Sequence, residues 1–151
     1  MNIGHQLKSI NKSVDAKNIH LYADVSGDFN PIHIDKEFGE ASQFGSNIAH
    51  GMMVASLISE LMTGNFGYAW YSSGTMKIRF RAPVLPNDHI TIAGKITKID
   101  DSTERKVTCS VSIKRQNDEV AISGTTTVSM PCLLYTSDAA DERSSVDLGG
   151  R

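Results

Sequence analysis

After Tyr71 the apolar residues recur at every second position in four successive runs, and such a chain can bury them only on one face of a sheet. Met76, Ile78 and Phe80 alternate with Lys77, Arg79 and Arg81, and Ile90, Ile92, Gly94 and Ile96 follow the turn Pro86-Asn87-Asp88. Val107, Cys109, Val111 and Ile113 make the third run; the turn Asn117-Asp118 leads into Val120, Ile122 and Val128. Short polar turns between alternating runs predict antiparallel neighbours. Ile3 to Ile10 is expected to supply a first strand, for five in all.

The period differs upstream. From His50 to Thr63, Met52, Ala55, Ile58, Leu61 and Met62 recur at spacings of three and four, which predicts a largely buried helix stopped at Gly64. A shorter helix is predicted from Asp15, as its N-cap, to Ser26, ended by Gly27. The following Asn30-Pro31 is read as an ordered loop, because proline cannot continue a helix. Together these elements predict an α+β layer, an antiparallel sheet on one long apolar helix, with no internal repeat.

Composition narrows the function classes. Residues 1–130 carry equal numbers of acidic and basic side chains, and the whole chain has a formal charge of −2. Nothing in that balance calls for nucleic acid or an anionic membrane. The cysteines, Cys109 and Cys132, form no CxxC or Cys/His cluster, so neither structural zinc nor a disulfide framework is expected. The start of the chain lacks the basic, apolar pattern of a signal peptide, and a cytoplasmic protein is expected.

Two segments carry candidate chemistry. In Ser26-Gly27-Asp28-Phe29-Asn30-Pro31-Ile32-His33 a carboxylate and an imidazole lie five residues apart on a chain pinned by Asn-Pro, so both can be aimed at one water. General acid–base catalysis by such a pair contributes about 100- to 10,000-fold. The other reading is a helix-terminal turn, with Asp28 as a capping group and His33 on the surface. In Ile48-Ala49-His50-Gly51-Met52 a glycine opens the buried helix, where unpaired N–H groups face outward. A thioester carbonyl could approach the Gly51 N–H as an oxyanion donor. Alternatively, glycine serves only packing against the sheet.

The string SGDFNPIH, followed by an IAHGM helix start and a β-rich half, resembles the MaoC-like dehydratases, specifically the (R)-specific enoyl-CoA hydratases of the hotdog fold. The resemblance implies that Asp28 and His33 form the catalytic dyad, Asn30 orients their loop, Gly51 is the backbone donor and Ser59 stands beside the aspartate. His50 is grouped with the supporting residues. Met52 and Met62 are expected to touch the acyl chain, with core packing as the other reading. The implied reaction is reversible syn hydration of a trans-2-enoyl thioester, without metal or redox cofactor, by a homodimer. Coenzyme A enters only as part of the substrate.

Other functions stay open on the same fold: a 3-hydroxyacyl-carrier-protein dehydratase, an acyl-CoA thioesterase, and a non-catalytic acyl-CoA-binding module. Lys77, Arg79 and Arg81 form either a cationic patch for a coenzyme A phosphate or acidic carrier, or a solvated strand face. Cys109, among valines, reads as a buried small hydrophobe. One domain is expected over residues 1–131. The segment Cys132-Leu133-Leu134-Tyr135-Thr136-Ser137-Asp138-Ala139-Ala140-Asp141-Glu142 resembles a translated sequencing-library adapter, so 132–151 is expected to be a non-native, disordered tail.

Overall fold

A computed structural model describes residues 1–101 and 104–130, and the tail expectation, Cys132 included, lies outside them. The elements run β1 (Ile10–Ser13), α1 (Ala16–Ser26), α2 (Pro31–Ile34), α3 (Lys36–Ala41), α4 (Gly51–Phe66), α5 (Tyr68–Ser73), β2 (Thr75–Phe80), β3 (His89–Asp100), β4 (Arg105–Arg115) and β5 (Val120–Met130). The strands form one antiparallel sheet in the order β1-β3-β4-β5-β2. The chain therefore leaves β1, passes through all five helices, and re-enters the sheet at its opposite edge.

The period-two runs become the inner face of that sheet. Ile92 of β3 stands opposite Ile113 of β4, which stands opposite Ile122 of β5. All three are buried, and α4 closes over this face with Val54, Ala55, Ile58, Leu61 and Met62. Side chains of this size stabilise by roughly 1.5–3 kcal/mol each when fully buried, which makes α4 the keystone of the layer. Among the described residues no helix is long and apolar enough to cross a membrane.

Local chemistry sets most boundaries. Asp15 caps α1 by accepting 2.8 Å from the Asn18 N–H, and Gly27 ends it at φ 76°. Three expectations need correction. Pro31 does not leave a plain loop: it starts the single turn α2 at its first position, where a missing N–H costs nothing. Gly64 lies inside α4, which runs on to Gly67, because a glycine is tolerated where neighbouring turns are packed. The first strand is only Ile10–Ser13, with Gln6 making an isolated bridge to Lys95. The short helices α3 and α5 lacked enough turns to show a period in the sequence.

Candidate active site

Asp28 and His33 are brought together by two successive side-chain turns. One carboxylate oxygen of Asp28 accepts from the Asn30 N–H at 3.2 Å, and the Asn30 side chain accepts from the Ile32 N–H at 3.2 Å, capping α2. His33 then falls in the single turn of α2, and its Nε2 lies 3.9 Å from the other Asp28 oxygen. One Asp28 oxygen thus serves as the capping group, while the other faces His33, whose side chain is largely buried rather than on the surface. Asn30 orients the loop through the backbone.

The imidazole of His33 is held from behind. Its Nδ1 lies 2.8 Å from the Ile48 carbonyl oxygen, which can only accept, so Nδ1 carries the hydrogen. In the neutral ring Nε2 then carries a bare lone pair, on the atom that lies nearest Asp28. A separation of 3.9 Å is too long for a direct hydrogen bond, but one water can lie about 2.8 Å from both atoms with an angle of about 90° between them. That water would donate one hydrogen to each group and turn its own lone pair outward. His33 keeps 11% of its side-chain surface and Asp28 keeps 53%.

His50, the N-cap of α4, supports the pair from beneath. It is 2% exposed, its ring stacks on that of His33, and its Nε2 donates to the Asp28 carbonyl at 2.8 Å. Tyr22 packs against its other side at 4.8 Å between centroids. His50 Nδ1 is buried without a hydrogen-bond partner. The dyad is thereby fastened to the residue that precedes Gly51.

Gly51 lies on the wall of an apolar cavity of about 330 Å³, with Ile48, Val54, Phe80 and Val84 among its neighbours there. It is the first residue of α4, where N–H groups have no intrahelical acceptor. A Cβ at this position would come within 2.9 Å of the Phe80 ring. Glycine here lets the Phe80 ring pack directly against the start of α4.

The other expected residues divide. Ser59 is not joined to Asp28 within the chain: it lies nine residues beyond His50, about 13 Å along the helix, and its hydroxyl accepts from Trp70 Nε1 at 2.8 Å. Met62 is fully buried in the core, with its sulfur accepting from the Thr126 hydroxyl, and does not line the cavity. Met52 is 61% exposed and also stands outside that lining. Three contributors escaped the sequence reading. The Ile48 carbonyl and the Phe80 ring leave no sequence signal, and Asn47 clamps α2 through hydrogen bonds to the Ile32 and Asp35 carbonyls at 3.1 and 2.7 Å.

Donor atoms of Asp28, His33 and His50 lie within 4.8 Å of one another, so a bound metal must be weighed. The two imidazole planes differ by only 28°, so their in-plane lone pairs do not converge on a point about 2.0–2.1 Å from both. The two rings therefore do not offer a convergent pair of nitrogen ligands.

A five-stranded antiparallel sheet wrapped on a central helix, with an acid–imidazole pair at the helix start, defines a hotdog-fold hydro-lyase. The chain belongs to the MaoC-like domain family, whose model matches residues 2–117. It is 30% identical over 125 residues to a 3-hydroxybutyryl-CoA dehydratase of Methylorubrum extorquens, covering 81% of this chain and 76% of the relative. It is 28% identical over 130 residues to an (R)-specific enoyl-CoA hydratase of Aeromonas caviae, covering 83% of this chain and 93% of that one. The solved structure of the A. caviae (R)-hydratase superimposes with a TM-score of 0.77 at 27% identity, covering 87% of this chain and 98% of that chain.

Proposed function

We propose that the protein catalyses the reversible syn hydration of trans-2-enoyl-CoA to (R)-3-hydroxyacyl-CoA. The observation that carries this reading is the 3.9 Å gap between His33 Nε2 and Asp28, two acceptors set to hold both hydrogens of one water. The names of the relatives support the same substrate class.

In this mechanism the enoyl thioester lies with its carbonyl oxygen at the Gly51 N–H. Asp28 takes a proton from the water as the water oxygen bonds to C3, while His33 holds the second hydrogen. The C2–C3 π electrons shift toward the thioester oxygen, and the enolate charge develops against the Gly51 N–H. A preorganised donor of this kind is worth about 100- to 1,000-fold. The proton taken from water then returns to C2 on the face from which water came, which makes the addition syn. His33 and Asp28 flank the same water, so the returned proton is assigned to the pair.

Electrons are neither gained nor lost by the substrate, so the reading needs no redox cofactor, and coenzyme A enters only as part of the substrate. It also takes the protein to be a cytoplasmic homodimer. The exposed edge strand β2, with Met76 38% and Phe80 56% exposed, supports self-pairing, since bare strand edges invite a partner.

The test follows the conjugated enoyl thioester absorbance of crotonyl-CoA. Wild-type protein is expected to consume it and form (R)-3-hydroxybutyryl-CoA. Asp28→Asn and His33→Ala, still folded by circular dichroism, are expected to be at least about 100-fold slower. Undiminished turnover in either variant would remove the mechanism.

A further inference from the structure

The outer face of the sheet presents its cations unevenly. Lys77, Arg79 and Arg81 are exposed on one side of β2 and its continuation, opposite the inward Ile78. The register sets Lys77 beside Thr125 and Arg79 beside Ser123 on β5, and Thr125 beside Ser110 on β4. These six side chains border a shallow concavity of about 390 Å³ that contains no carboxylate. Among the described residues, Lys77, Arg79 and Arg81 take part in no ion pair, which is also true of Lys95 on β3, whereas Lys98, Arg105, Lys114 and Arg115 elsewhere in the sheet have carboxylate partners. Three free cations interleaved with hydroxyl donors match a group that carries several phosphates.

Arg81 connects this face to the chemistry. Its Nε donates to Ser123 Oγ at 3.0 Å on the outer face, and the same residue lies on the rim of the apolar cavity that Gly51 borders. Lys77 stands four residues away, roughly 13 Å along the strand. A substrate whose reacting end is apolar and whose far end is anionic would thus find both environments in sequence, joined at Arg81.

We infer that Lys77, Arg79 and Arg81 bind the phosphates of the coenzyme A moiety, with Arg81 at the mouth of the acyl cavity and the other two receiving the nucleotide end. This inference rests on the enoyl-CoA reading and extends it to the carrier. Coenzyme A bears a diphosphate and a 3′-phosphate, whereas the pantetheine arm alone is uncharged. The patch therefore contributes to substrate binding, with little effect on the chemical step, and its contribution weakens as salt rises.

The experiment compares crotonyl-CoA with crotonyl-pantetheine for wild type and the double variant Lys77→Gln, Arg79→Gln, which leaves the cavity-lining Arg81 in place, alongside calorimetric titration with free coenzyme A. The variant is expected to raise KM for crotonyl-CoA by about tenfold or more, to leave kcat within about twofold, and to leave kcat/KM for crotonyl-pantetheine unchanged. Its affinity for free coenzyme A should fall in parallel. Equal losses on both thioesters, or no change with crotonyl-CoA, would overturn the inference. So would a loss confined to a crotonyl thioester on an acidic acyl carrier protein. Should wild type turn over neither thioester yet bind coenzyme A in a way that the variant loses, the patch stands and the hydratase reading falls.

Discussion

The ring of His50 lies flat against that of His33, 3.9 Å between centroids, while its Nε2 holds the main-chain oxygen of Asp28. One buried side chain thus touches both members of the dyad. It acts on their positions, and displacements of about 1 Å at a reacting pair can cost about 100-fold. We expect His50→Phe, which keeps a ring and loses the donor, to lower kcat/KM by about 10- to 100-fold. His50→Gln, which can restore an N–H near Nε2, should recover part of that loss. Equal activity in the two variants would show that the tie to Asp28 is not what matters.

Gly51 separates steric from catalytic effects. A Cβ there meets Phe80 at 2.9 Å, and that ring is 56% exposed with room to move. Gly51→Ala is expected to reduce kcat/KM by about tenfold or more, through displacement of the donor or obstruction of the carbonyl. The double variant with Phe80→Ala measures the split. Full rescue would mean that the glycine serves packing alone.

Asp88 anchors the start of β3, far from the dyad in sequence. Burial pushes its carboxyl upward, but Arg115, Gln116 and the Leu85 N–H outweigh this and hold it below the usual carboxylate range. A folded-state value below the unfolded one, about 3.9, means stability that is present above that pH and lost as pH falls through the folded value. Arg115→Ala, leaving the carboxylate buried and unpaired, should cost about 3–5 kcal/mol in urea unfolding at pH 7. It should also flatten the dependence of stability on pH below about 4. A change under 1 kcal/mol would show that the pair is not structurally important.

Burial pushes the Cys109 thiol up to about 11, against a smaller downward pull from Thr126. The folded protein should therefore leave this thiol unlabelled by iodoacetamide at pH 8, with labelling only after unfolding. Cys109→Ala should retain activity within about twofold. Rapid labelling of the native state would contradict the packing described for β4.

Much of the fold was legible because burial on a sheet forces a period of two and burial on a helix forces one near 3.6. Thus Ile92, Ile113 and Ile122, separated in the chain, were all assigned to an inner face, and they meet there. The ends were less legible. Pro31 forbids helix behind it yet starts one ahead of it, and Gly64 stops a helix only where packing does not sustain the next turn. Met62 shares its spacing with residues that could line a channel, and only its neighbours put it in the core.

The sequence by itself determined that Asp28 and His33 are held close, because local Asx turns and a proline-started helical turn act over six residues. Tertiary structure decided what lies behind and around them: the Ile48 carbonyl that sets the His33 tautomer, the His50 ring beneath it, Phe80 over Gly51, and Ser59 turned to Trp70. Those contacts join residues from 11 to 29 positions apart, and no short-range preference specifies them. They arise when α4 packs onto the sheet and carries its first residues to the loop after α1.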